Sequence, residues 1–265
     1  MSYQISATKI QTYNRCPYAY YLRYERRLNM SDFFGSAALG SALHQALAML
    51  HRDWHYEDPL PEIDWIHLCW NEVSVGLTPT QIEEGRVILE NYYERFIASE
   101  PSLRQPLAVE GKIQAHLQVE NLEFCITGRY DRIDFLTDTG LELIDYKSGR
   151  EVKVPDNDEM DLQIGLYYLA LEQTYAQSLK YLTLLFLRTG EKVRYKATKR
   201  HKQQVQRVIS DLAVQLRHDE TWEPKPGKQC DRCTYARYCS AMTTEPLPLP
   251  DSLSTSPELQ LALSL

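Results

Sequence analysis

Residues 128–149 read GRYDRIDFLTDTGLELIDYKSG, and the architecture of the chain is argued outward from them. Residues 132–147 form a predicted β-hairpin that turns at Asp138-Thr139-Gly140. On its second strand Leu141, Leu143, Asp145 and Lys147 share one face, and Ile144 and Tyr146 take the other. A carboxylate and an ammonium on a face shared with leucines are costly to desolvate unless they coordinate something. Asp131 precedes Asp145 by 14 residues, across the hairpin, so two carboxylates can converge. Two carboxylates and a backbone carbonyl are hard oxygen ligands of the kind Mg²⁺ or Mn²⁺ takes. Lys147 can then help activate a water and stabilise developing phosphate charge. Taken alone, Asp-x-Lys is also an ordinary ion pair.

Upstream, Val109, Ile113, Ala115, Leu117 and Val119 alternate as in a half-buried strand, Asn121 marks a turn, and LEFCITGRYD is the return strand. Before these lie helices. Ser6 is placed to cap a first short one, and Cys16-Pro17 opens a second. Residues 36–52 carry an apolar stripe, and Thr78-Pro79-Thr80-Gln81 has capping-box spacing for a helix reaching about Ala98. Downstream, a helix over DLQIGLYYLALEQTYA is followed by a buried strand, YLTLLFLR, a turn at Thr189-Gly190, and a strand, VRYKAT. A basic helix over 199–218 closes the series. The order predicts an α/β (α+β) fold, a mixed β-sheet flanked by helices, over residues 1–244. Residues 245–265, rich in Pro and Ser, read as a disordered tail.

The 265 residues are 43% hydrophobic and 25% charged, which excludes a mostly disordered or fibrous chain. No apolar run approaches the roughly 18 residues of a membrane span, and the first residues lack a signal-peptide stretch. A cytoplasmic protein with no membrane partner is expected. Net charge is −7, but residues 180–239 hold 14 Lys+Arg against 6 Asp+Glu. Within that basic third, Lys199, Arg200, Lys202 and Arg207 are candidates to track a nucleic-acid backbone, or form a solvated helix face.

Of six cysteines, Cys69 and Cys125 read as small buried hydrophobes. Cys230 and Cys233 form a CxxC, and Cys239 follows in a polar segment. Three thiolates so close suit a metal or cluster, with Cys16 as a fourth ligand. Spacing leaves zinc and an iron–sulfur cluster equally open.

Two further groups matter. Gln163 and Tyr167 stack at i and i+4 on a largely apolar helix, where they bond each other or hold a substrate or lysine. His44 follows Gly40 by one turn, the glycine leaving room for a metal or nucleic acid to approach. Glu110 reads as a surface residue, and Tyr18, Tyr20, Tyr21 and Tyr24 as core packing around Cys16 or as base-stacking rings.

Taken in order, GxxxH at 40–44, GxxDRID at 128–134, DYK at 145–147, QxxxY at 163–167 and the cysteine set resemble the RecB-like branch of the PD-(D/E)XK nuclease superfamily. The four-cysteine arrangement resembles that of its iron–sulfur members, such as the AddB nuclease domain and CRISPR-associated RecB-like exonucleases. The resemblance implies a restriction-endonuclease-like core with His44, Asp131, Asp145 and the Tyr146 carbonyl as ligands of Mg²⁺ or Mn²⁺. It implies Lys147 as the catalytic lysine, Gln163 and Tyr167 as an accessory motif, and a [4Fe–4S] cluster, rather than zinc, on Cys16, Cys230, Cys233 and Cys239. Asp145 stands where many members have Glu. The implied activity is exonucleolytic hydrolysis of DNA, on single-stranded ends, in repair, recombination or CRISPR adaptation. A chain lacking a GxxxxGK phosphate loop would take any unwinding from a helicase partner. The other readings are a catalytically silent iron–sulfur DNA-binding subunit and a thiol redox protein, both of which leave the Asp/Lys/Gln set without a purpose.

Overall fold

A computed structural model describes residues 2–28, 37–136, 140–149, 152 and 157–249. The chain divides into two compact units, one of residues 1–7 and 33–210, the other of residues 8–32 and 211–265.

The first unit is built on a mixed sheet. Its strands are β1 (Ser2–Ser6), β2 (Ala108–Val119), β3 (Leu122–Phe135), β4 (Leu141–Lys147), β5 (Leu179–Phe186) and β6 (Glu191–Lys196). The order is β1-β3-β4-β5-β6, with β2 also paired to β3. β2–β3, β3–β4 and β5–β6 are antiparallel, and β1–β3 and β4–β5 are parallel. The β2 alternation holds, with Ile113 and Ala115 buried between exposed neighbours. β5 is apolar on both faces and central in the sheet, buried from Leu182 to Phe186. β1 departs from expectation. Ser6 ends an unannounced strand lying parallel to β3, with Ile5 opposite Ile126, and the first helix starts at Ala7, directly after the expected cap. Five residues with one buried apolar side chain give too short an alternation to announce it.

Helices α3 (Ala37–Arg52), α4 (Ile63–Val73) and α5 (Pro79–Phe96), the third, fourth and fifth along the chain, pack with Ile144 and Tyr146 of β4 in one core cluster. Trp70, Leu43, Leu47, Leu89 and Tyr92 are at its centre. The α5 capping box is formed, Thr78 accepting from the Gln81 amide and the Gln81 side chain accepting from the Thr78 amide. Gly85 lets α5 ride on the Trp70 indole, since a Cβ there would lie 2.2 Å from the ring. Helix α6 (Asn157–Tyr175) contacts β2, β3 and β5. Gly165 brings it against the His201 carbonyl, which a Cβ would meet at 2.2 Å.

The second unit holds α1 (Ala7–Arg15, from Thr8 on) and α2 (Pro17–Tyr20), which runs on as a π-helical turn, Tyr21–Glu25. Cys16 is the N-cap of α2 and Pro17 its first residue, as the dipeptide predicts. Helix α7 (Lys199–His218) begins in the first unit and ends in the second. Tyr20 and Tyr21 both stack on Trp222, with centroids at 5.8 and 5.6 Å. The Tyr18 hydroxyl donates to the Tyr238 carbonyl at 3.1 Å. These rings are packing residues, as the core reading expects. The tail from residue 250, and the first two turn residues at 138–139, lie outside the described residues. No helix among the described residues is long and apolar enough to cross a membrane.

Candidate active site

The site of the first unit forms where the sheet ladder is interrupted. Pairing of β3 with β4 runs from Phe135–Leu141 to Arg132–Ile144, and the next pair in that register is Asp131–Asp145. There the Asp131 carboxylate replaces a ladder partner, its Oδ2 accepting from the Tyr146 amide at 2.6 Å. On the other side, β2 pairs Val109 with Arg132 and Gly111 with Tyr130. The residue between, Glu110, has φ +42°, a left-handed conformation that costs a non-glycine residue on the order of 1–2 kcal/mol. Such strain is characteristic of functional sites.

The turned Glu110 points its carboxylate at the cluster. His44 of α3 lies with Nδ1 at 3.1 Å from Asp131 Oδ1 and 3.9 Å from Glu110 Oε1. One ligand atom from each of His44, Glu110 and Asp131 fits within 4.8 Å of the others. Glu110 is thus no bystander on the surface, and it was missed because an isolated acid at a strand start carries no spacing signal. Asp145 is half-buried next to this trio and ion-paired with Lys147. Burial pushes the Asp145 carboxyl up, Lys147 pulls it down, and the Asp131 charge raises it further. The His44 imidazole is held above its ordinary value: burial works against the cation, but Asp131, Asp145 and Glu110 outweigh it. Glu110 is raised by burial and then by Asp131. Two carboxyls raised by burial and by a neighbouring negative charge, beside an imidazole that carboxylates hold up, form a donor set suited to a hard divalent cation.

Gly40 lines the cavity beside the cluster, where room was expected of it, and it has a second reason. Gly40 leaves room for protein: a Cβ there would meet the Ser148 Oγ at 2.7 Å, so the glycine lets α3 close onto the segment after Lys147. Gly128 admits the Tyr167 ring, which a Cβ would meet at 3.1 Å. Tyr167 is buried on α6, donates to the Arg129 carbonyl at 2.6 Å and is hydrogen-bonded by Gln163. This pair pins β3 two residues before Asp131. A cavity of about 800 Å³ opens beside the cluster, and Ser41, Gln45, Arg52 and Arg129 line it with His44, Glu110 and Asp131.

Of the four basic candidates on α7, Lys199, Arg200 and Arg207 are exposed. Lys202 instead pairs with Glu172 of α6, which removes it as a free phosphate donor.

In the second unit, Cys16, Cys230, Cys233 and Cys239 are free thiols lining one cavity of about 170 Å³. The Lys225 amide donates to Cys16 Sγ (3.5 Å) and the Gly227 amide to Cys230 Sγ (3.4 Å). Burial raises the Cys233 thiol, and the other three cysteines raise it further, so all four share one field. No three of these sulfurs lie within 4.8 Å of one another. A single tetrahedral zinc, with Zn–S of about 2.3 Å, would draw them to about 3.8 Å. Soft thiolates of this kind suit zinc or an iron–sulfur cluster.

The family model described as the PD-(D/E)XK nuclease superfamily matches residues 4–240. Members of that superfamily are metal-dependent nucleases, that is, phosphodiester hydrolases. No curated protein matches the chain. Among solved structures, the one described as "Crystal structure of SSO0001" is similar at 15% identity and a TM-score of 0.42, over 91% of this chain and 87% of that one. With a match over nearly the whole of the described chain, this protein belongs to the PD-(D/E)XK nuclease superfamily.

Proposed function

We propose that the protein is a RecB-like, metal-dependent DNA exonuclease that degrades single-stranded ends, with a structural [4Fe–4S] cluster in its second unit. The observation that carries the reading is the convergence of His44, Glu110 and Asp131 beside the Asp145–Lys147 pair, on a polar cavity. In this reading His44, Asp131, Asp145 and the Tyr146 carbonyl hold Mg²⁺ or Mn²⁺, with Glu110 as a further ligand. The cation supplies Lewis-acid polarisation of the scissile phosphate and a water of lowered pKa. Asp145 holds Lys147 in place, and the ammonium faces the charge that develops on the phosphate. Tyr167 and Gln163 fix the strand that carries Asp131.

Arg129 and Arg52 flank the cavity and supply phosphate contacts beside the cluster, and Lys199, Arg200 and Arg207 supply weaker ones. Cys16, Cys230, Cys233 and Cys239 hold the iron–sulfur cluster, which ties the N-terminal and C-terminal segments of the second unit together. End-labelled linear and circular single-stranded DNA of the same sequence test the exonuclease assignment. Metal-dependent loss of the linear strand alone supports it, and equal cleavage of the circle makes the protein an endonuclease.

A further inference from the structure

Arg132 is the residue that the proposed chemistry does not use. It is largely buried, next in sequence to Asp131, and paired across the sheet with Ile144 of β4. A buried guanidinium needs partners for its donors. Nη1 lies 2.7 Å from His51 Nε2, 3.3 Å from the Tyr92 hydroxyl and 3.4 Å from the Tyr146 hydroxyl. Nη2 donates to Asp134 Oδ2 at 3.1 Å. The shortest of these bonds goes to a histidine.

The chemistry of that bond is determined. Arginine only donates, so His51 Nε2 must present its lone pair, which the Tyr92 hydroxyl also approaches at 2.9 Å, and the imidazole is neutral with its proton on Nδ1. Nδ1 is buried and has no hydrogen-bond partner among the described residues. An apolar side chain would avoid this unpaired group. The cost is tolerated for the sake of the Arg132–His51 contact.

Three of the four partners, His51, Tyr146 and Asp134, stand on elements that carry part of the metal site. His51 is on α3, seven residues and two turns from His44, hence on the same helix face. Tyr146 is on β4, beside Asp145, and its amide bonds Asp131. Its ring stands edge-on to His44 with centroids 6.0 Å apart. Tyr92 brings in α5.

We infer that Arg132 is a positioning residue for the metal site: held by His51, Tyr92, Tyr146 and Asp134, it fixes α3 and β4 so that His44, Asp131 and the Tyr146 backbone meet at one point. This rests on the metal-site reading above. Partners that orient ligands typically set metal affinity by about 10–100-fold.

The test is Mn²⁺ binding to the metal-free active site of the full chain, followed by electron paramagnetic resonance of the free ion, with a circular dichroism melt for every variant. Arg132→Lys and Tyr146→Phe are expected to fold and to bind Mn²⁺ about tenfold more weakly or worse. His51→Gln, whose amide oxygen can accept from Arg132, should bind within about twofold of wild type, whereas His51→Leu should lose about tenfold. If Arg132→Lys does not fold, the Gln/Leu comparison and Tyr146→Phe decide. Wild-type affinity in folded Tyr146→Phe and His51→Leu overturns the positioning role and leaves the nuclease reading intact. A wild type that binds no Mn²⁺ overturns the metal site itself, and the positioning role with it.

Discussion

Glu110 and Asp131 face each other across β2 and β3 at the one step where the pairing passes over a residue, from Val109–Arg132 to Gly111–Tyr130. Two carboxylates are thereby held in a space that also contains His44. Like charges at this distance destabilise the metal-free fold and favour a cation. Glu110→Gln keeps the shape and removes one charge. It should melt at a higher temperature than wild type without metal and bind Mn²⁺ more weakly. A variant with unaltered Mn²⁺ affinity would return Glu110 to the role of a surface acid.

Tyr167 presents a second case in which a hydroxyl serves the backbone. Tyr167→Phe leaves the Arg129 carbonyl without its 2.6 Å donor, at a cost of about 1–3 kcal/mol. Denaturant titration should show that loss, and metal-dependent cleavage should fall with it as Asp131 loosens. A loss of activity with no change in stability would instead make Tyr167 a substrate contact.

How much of this was legible in the sequence divides along physical lines. The β2–β3–β4 meander and the capped α5 announce themselves through period-two alternation and a cap with its own hydrogen-bond logic. Asp131, Asp145 and Lys147 are visible because their spacing implies a shared hairpin. Glu110 is not, because its place depends on a backbone turn with φ +42°, which a lone glutamate does not signal. The close packing of Gly40 on Ser148 was also hidden, since the two are distant in sequence. The same holds for Lys202, whose partner Glu172 lies on another helix.

The buried His51 gives a pH dependence with a definite sign. Burial and the neighbouring Arg132 hold its imidazole well below the ordinary 6.5. The unfolded chain therefore binds the extra proton first, so this contribution to stability is complete above about pH 7 and is lost as pH falls through the unfolded value near 6.5. Unfolding free energies at pH 5.5 and 7.5 should differ more for wild type than for His51→Gln. Identical differences would show that His51 is not held neutral.

Arg129 and Arg52 line the cavity beside the cluster, the first 3.8 Å from Glu110 and the second paired with Asp53, whereas Lys202 pairs with Glu172 away from that cavity. Arg129→Ala should weaken single-stranded DNA binding and reduce the salt slope by about one. Lys202→Ala should leave both close to wild type. The reverse order would place the DNA along α7 instead of along the cavity.

The central claim is that Asp145 and Lys147 act with His44 and Asp131 in metal-dependent hydrolysis of DNA. It is tested most directly by digestion of end-labelled single-stranded DNA with Mg²⁺ or Mn²⁺, using anaerobically purified, iron-loaded protein beside Asp145→Asn and Lys147→Ala. Digestion that requires the divalent ion and is lost in both folded variants is the predicted result. No digestion by the folded wild type, or digestion that survives both substitutions, would contradict it.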